Sequence, residues 1–178
     1  YPGTPAANDT NRNLLLFRDP TVDGLKTGYT QAAGYCMVAT AQREVPGIKS
    51  RRLLSIVLGA SSENARAQES QKLLNWGYAA FDAIKLFDAS QAVVQVPVWK
   101  GRSNQLALGR PEPLVVAVPS GQASKLRSEV VRPEPLVAPI AKGHPVGKLK
   151  IYVGDQLLTE KPLLALDGVD ESGVIGRA

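Results

Sequence analysis

The chain has 178 residues, 44% of them apolar, with a formal net charge of +5, which allows one domain or two small ones. No apolar run approaches the length of a membrane-spanning helix. The basic residues are dispersed, and the densest group, Lys49 to Arg52, has no interleaved aromatic residues, so no nucleic-acid partner is expected.

Residues 1–13 read as loop, rich in proline, glycine and asparagine. The run does not begin with Met and carries no leader-like pattern, so the chain is expected to be the inside of a longer precursor. Leu14 to Phe17 form a short apolar patch, stopped by "RDPT". Three strand-like runs follow: "GLKTGYT", "GYCMVATAQRE" and "RLLSIVLGA", the last two separated by the hairpin loop "VPGIKS". The single cysteine, Cys36, lies in the second run. It is expected to be a small buried hydrophobe, because the only histidine lies far along the chain.

The clearest helix is predicted over 61–84, "SSENARAQESQKLLNWGYAAFDAI", with Ser61 or Ser62 as N-cap and Glu63 in the first turn. Leu73, Leu74, Gly77, Phe81 and Ile84 recur at helical spacing beside Trp76 and Ala80. The aromatic residues of this helix are expected in the core.

After about Lys85 the composition changes to Val, Leu, Pro and Gly, with short strand patterns and no strong helix. Six candidates stand out: "AVVQVPVW", "LVVAVP", "SEVVRP", "LVAPI", "GKLKIYVG" and "PLLALD". They indicate a small all-β unit, a sandwich or partial barrel. The fold class is therefore α+β, with domains at 1–86 and 87–178. A short echo, "RPEPLVV" at Arg110 and "RPEPLVA" at Arg132, reads as two similar edge-strand lead-ins. His144 sits in a Gly/Pro turn with no second histidine, so no metal site is expected.

The chemistry-bearing stretch is "DGLKTGYT", Asp23 to Thr30. An edge strand there can pair with an extended peptide through its backbone. Gly28 removes a side chain where a ligand comes close, Lys26 offers a cation, and Thr27 offers a hydroxyl donor. The N–H of Tyr29 can face a developing oxyanion. Alone, K-T-G is a weak three-residue match.

Together with "GYCMVATA", "RLLSIVLGASSENAR" and "LLNWGYAAF", this stretch resembles the low-molecular-mass penicillin-binding proteins, serine-type D-alanyl-D-alanine carboxypeptidases. The likeness covers nearly the whole chain. It implies the last strands and final helix of a transpeptidase-like catalytic domain, followed by a β-sandwich domain. That family uses S-x-x-K, S-x-N and K-T-G. The sequence contains no S-x-x-K. "SEN" at Ser62 matches S-x-N formally, but follows K-T-G and suits a helix cap better. The nucleophile is therefore expected outside this chain, which alone is expected to be inactive.

By position, the resemblance implies that Lys26 organises the charge network around the nucleophile and that Tyr29 supplies an oxyanion-hole N–H. Thr27, Gly28 and Arg66 would bind substrate, with Thr27 and Arg66 on its terminal carboxylate. Read without the family, Arg66 is a surface arginine in the first turns of a helix; read with it, its loss is expected to weaken turnover at little cost in stability. Arg12 matches a position near the site more weakly.

The implied reaction is hydrolysis of the terminal D-alanine from peptidoglycan stem peptides through an acyl-enzyme, without metal or organic cofactor. The implied partners are the pentapeptide, β-lactams and the N-terminal part of the same protein. The implied place is the periplasm, with peripheral inner-membrane association through a C-terminal anchor not contained in the sequence. Three other readings stand beside this one: a non-catalytic scaffold, a class A β-lactamase and a transpeptidase.

Overall fold

The computed structural model describes residues 10–173. The chain divides into two compact units, with the division between Ala83 and Ile84.

The first unit opens with a one-turn helix, α1 (Leu15–Arg18). Three antiparallel strands follow in the order β1 (Val22–Thr30), β2 (Gly34–Val45) and β3 (Ile48–Ala60). The hairpin between β2 and β3 is tighter than the sequence suggests, because only Pro46 and Gly47 separate the strands. Alternation then sets the faces. Met37, Ala39 and Ala41 on β2, with Ser55 and Val57 on β3, are buried. Leu54, Ile56 and Leu58, the intervening residues of β3, are exposed.

Helix α2 (Glu63–Ala80) covers the buried face and adds Ala67 and Leu74 to the core. Its start follows the sequence signal: Ser62 is extended, and its Oγ accepts the N–H of Ala65 at 3.0 Å. Gly77 lets the helix lie close, since a Cβ there would meet Leu53 Cδ1 at 2.9 Å. The Tyr78 hydroxyl lies 2.8 Å from the carbonyl oxygens of Ala41 and Arg51, tying the helix to both strands.

Two expectations for this region need correction. The helix ends at Ala80, and Phe81–Phe87 is strand β4, not a last helical turn. Apolar residues at 81, 84, 86 and 87 satisfy either period over so short a stretch. Trp76 is also exposed rather than in the core, resting edge-on against Phe81 at 5.6 Å.

The second unit is almost all strand. It holds β5 (Ala92–Trp99), β6 (Gln105–Gly109), β7 (Leu114–Pro119), β8 (Leu126–Val131), β9 (Leu136–Val137), β10 (Pro145–Val153) and β11 (Gln156–Ala165). Six of these form one sheet in the order β8-β10-β11-β6-β5-β9, while β4 pairs with β7. The core is a single cluster that includes Val96, Leu106, Leu108, Val118, Leu149, Ile151 and Leu163. Strand β6, "QLALG", has no counterpart among the sequence-predicted runs. It is short, and its Leu106 and Leu108 alternate with only Ala107 between them.

Candidate functional site

Strand β1 is an edge of its sheet: among the described residues it pairs only with β2. Its register sets Lys26 against Val38, Thr27 against Met37, Gly28 against Cys36 and Tyr29 against Tyr35. Thr27 therefore shares the α2-facing side of the sheet with buried Met37, and Lys26 points to the other side.

Lys26 is exposed, and its Nζ donates to the Thr27 carbonyl at 2.7 Å. Gly28 is exposed as well. A Cβ added there would meet only Cys36 Cβ, at an ordinary 3.9 Å. Nothing among the described residues of the unit demands a glycine at this position. Cys36 is half-buried rather than buried, with Sγ 3.5 Å from the Ala33 carbonyl. The Tyr29 ring is exposed and packs on Tyr35, centroids 4.4 Å apart and planes tilted by 37°.

Arg66 differs most from the sequence reading. It is only 1% exposed, so it is no surface arginine. Its Nη1 donates to the Gly28 carbonyl at 3.3 Å and its Nη2 to the Arg12 carbonyl at 3.0 Å. Glu63 Oε1 lies 3.5 Å from Nη2, and the guanidinium carbon is 5.5 Å from the Tyr35 ring centre. Buried Nε finds no partner among the described residues. Arg12 joins this arrangement through its backbone, while its side chain is exposed. Next to it, Asn13 Oδ1 accepts the N–H of Leu15, the first residue of α1, at 3.1 Å. The burial follows from helix geometry: Arg66, Ala67, Ser70 and Leu74 lie on the face of α2 turned to the sheet.

Two carboxylates escaped the sequence reading. Asp19 is buried and accepts from Thr21 N and Oγ1, from Gln71 Nε2 at 2.7 Å and from Arg43 Nη2 at 2.9 Å. Burial alone would raise its pKa, but these hydrogen bonds and the Arg43 charge bring it down to about 2. Asp23 lies on the exposed side of the sheet and receives a two-pronged contact from Arg52 at 2.7 and 2.8 Å and a bond from Thr40 Oγ1. These hydrogen bonds lower it to about 2. Asp23 opens the K-T-G strand, and a sequence signal existed in the alternation that puts Thr40 and Arg52 on one face. Asp19 gave none, because its partners come from elements 24 and 52 positions away.

Known proteins resemble this chain in sequence and fold. Residues 81–171 match the family described as "Penicillin-binding protein 5, C-terminal domain". The chain belongs to the penicillin-binding protein 5 family. Residues 4–62, which hold the K-T-G strand, match the family described as "D-alanyl-D-alanine carboxypeptidase". The chain is 37% identical over 169 residues to "D-alanyl-D-alanine carboxypeptidase DacC" of Escherichia coli (strain K12), covering 94% of this chain and 41% of that protein. A crystal structure of penicillin-binding protein 5 from Haemophilus influenzae aligns with a TM-score of 0.79 at 32% identity, over 90% of this chain and 46% of that one. The D-alanyl-D-alanine carboxypeptidase DacD from Francisella tularensis aligns with a TM-score of 0.61 at 31% identity, over 91% and 39%. The chain thus spans about two fifths of the length of the curated relatives it matches. The α+β class and the resemblance to low-molecular-mass penicillin-binding proteins both hold.

Proposed function

We propose that the first unit forms one wall of the active site of a serine-type D-alanyl-D-alanine carboxypeptidase, which trims the terminal D-alanine of peptidoglycan stem peptides. The observation that carries this reading is the edge of β1, unpaired among the described residues, where Lys26 and Gly28 are exposed and a buried arginine holds the Gly28 carbonyl from the α2 side of the sheet. A peptide can add to such an edge by backbone pairing.

In this reading a serine from a segment outside the chain attacks the carbonyl of the D-Ala-D-Ala bond. D-alanine leaves, and water hydrolyses the acyl-enzyme. Lys26 supplies positive charge beside that nucleophile. The hydroxyl of Thr27 donates to the substrate's terminal carboxylate. Gly28 allows the peptide to lie against the strand, and the Tyr29 N–H stabilises the oxyanion. Arg66 reinforces the carboxylate grip from behind, with Nε as its uncommitted donor. A β-lactam enters the same site and stays at the acyl stage.

The exposed Leu54, Ile56 and Leu58 support the second half of the proposal. They form an apolar row on the sheet face opposite α2, and we place there the segment that brings the nucleophile. The reaction would be periplasmic and serve cell-wall shape, with peripheral inner-membrane association through an anchor beyond this sequence. The domains would be 1–86, the end of the catalytic domain, and 87–178, the sandwich.

The test is covalent labelling by a fluorescent penicillin. The longer parent should label, and the 178-residue chain should not. Labelling of the isolated chain would refute the split site. A folded parent that never labels would leave the scaffold reading in its place.

A further inference from the structure

The repeated hexapeptide R-P-E-P-L-V, at Arg110 and again at Arg132, makes the same ion pair and buries the same leucine in both copies, although the Glu–Pro bond is cis only in the second. Arg110 Nη2 pairs with Glu112 Oε2 at 3.2 Å, and Arg132 Nη2 pairs with Glu134 Oε1 at 2.6 Å. Leu114 and Leu136, at 5% and 7% exposure, enter the core, while Val115 and Val137, at 44% and 46%, turn outward. Each leucine begins a strand, β7 in one copy and β9 in the other.

The copies differ in what else the arginine meets. Arg110 Nη1 donates to the Pro162 carbonyl on β11 at 2.8 Å, so the fold itself uses that guanidinium. Arg132 Nη1 reaches only the carbonyl of its neighbour Pro133, at 3.5 Å, the far limit of a hydrogen bond. Beside it lies a groove of about 390 Å³ lined by Pro97, Trp99, Arg132, Glu134, Pro135 and Leu136. Trp99 is 65% exposed, yet its backbone is fixed: it stands in register with Val137, and its carbonyl accepts the Ala138 N–H at 2.9 Å.

We propose that this groove binds an uncharged saccharide, with Trp99 as the stacking platform and the Arg132–Glu134 pair as the hydrogen-bonding clamp. An indole carried on a fixed backbone presents a large apolar face with few side-chain torsions to immobilise. Its ligand must offer an apolar face and a polar edge, as a pyranose ring does. The lining carries one cation and one anion, so it exerts no net pull on a phosphate or a free carboxylate. Vicinal hydroxyls both donate and accept, and a guanidinium beside a carboxylate matches them. The Glu134 carboxylate is exposed while the Arg132 side chain is largely covered. A pair open to water on one side is weakly held, so the carboxylate can turn to a ligand beside the guanidinium.

A proline-rich peptide also stacks on tryptophan. It has few N–H groups, however, and would leave the exposed Glu134 carboxylate facing a row of carbonyls. The groove lies within the second unit, and the inference does not depend on the reaction proposed for the first.

The chain has two tryptophans, so the test can follow their indole N–H signals by NMR during titration with N-acetylchitotriose. The Trp99 signal should shift saturably at millimolar ligand while that of Trp76 stays fixed. Trp99→Ala should abolish binding. Arg132→Ala should weaken it about tenfold, and Arg132→Gln, which keeps donors, should weaken it less. Arg110→Ala should leave affinity unchanged. Far-UV circular dichroism of each variant establishes that it is folded. Absence of a saturable shift, or equal weakening by Arg110→Ala and Arg132→Ala in folded protein, would overturn the proposal. So would a Trp99 response to decaproline but not to the saccharide.

Discussion

The Nη1 of Arg66 donates to the carbonyl oxygen of Gly28 across 38 positions of sequence, at 3.3 Å, from a side chain with almost no exposure. Helix α2 thereby grips the K-T-G strand from behind. The same guanidinium holds the Arg12 carbonyl, so three segments converge on one buried charge.

Removing that charge should cost stability, contrary to the expectation for a surface arginine. Arg66→Ala would leave the Gly28 and Arg12 carbonyls without their donor and open a void. We expect a loss of about 2–4 kcal/mol, read from urea unfolding of the isolated chain. Arg66→Lys should recover less than half, because an ammonium cannot span both carbonyls as a planar fork does. A loss below about 0.5 kcal/mol would place Arg66 outside the framework of the unit.

Gly28→Ala separates fold from function. The added methyl meets only Cys36 Cβ at 3.9 Å, so the melting temperature should stay within about 2 °C of the parent's. On the proposed function, penicillin labelling of the longer parent should nevertheless fall by at least about tenfold, since the methyl would stand between the strand and a peptide paired to it. Normal labelling would show that nothing lies against the strand at this point.

Acid should destabilise the first unit through Asp19. Its folded pKa of about 2 lies below the ordinary 3.8, so the folded state binds fewer protons than the unfolded one between these values. The stabilisation is complete above about pH 4 and is lost as pH falls towards about 2. Thermal melts from about pH 5 down to about pH 2 should show a progressive drop, and Asp19→Asn should lower stability at the upper end and flatten that dependence. An unchanged slope in the variant would assign the acid sensitivity elsewhere.

Tyr78→Phe removes the hydroxyl that reaches the Ala41 and Arg51 carbonyls at 2.8 Å. The expected cost is about 1 kcal/mol. The Arg43 guanidinium, 4.4 Å from the ring centre, should keep its stacking partner. Double substitution with Arg43→Ala should therefore be more than additive only if ring and hydroxyl act together.

Local signals carried much of this architecture in the sequence itself. Strands β1 to β3 declared themselves by alternation and turn residues, and Ser62 by its place before Glu63. The failures share one cause. Phe81 and Ile84 fit a helical period, but tertiary pairing takes that stretch into a strand. Trp76 has the composition of a core residue but lies outside the face turned to the sheet. Arg66 looked like a solvated first-turn charge because its acceptors, the carbonyls of Arg12 and Gly28, carry no side-chain signature at all. The echo of R-P-E-P-L-V was visible, but the difference between its copies depends on Pro162 and Trp99, remote from both.

The edge of β1, unpaired among the described residues, has a practical side for anyone handling the isolated chain. An unpaired strand edge shows its amides to every neighbouring molecule in the tube, and Leu54, Ile56 and Leu58 add grease on the adjoining face. Concentrated samples should therefore associate strand to strand. A short peptide that occupies the edge, or the substitution Leu58→Lys, should keep the solution clear.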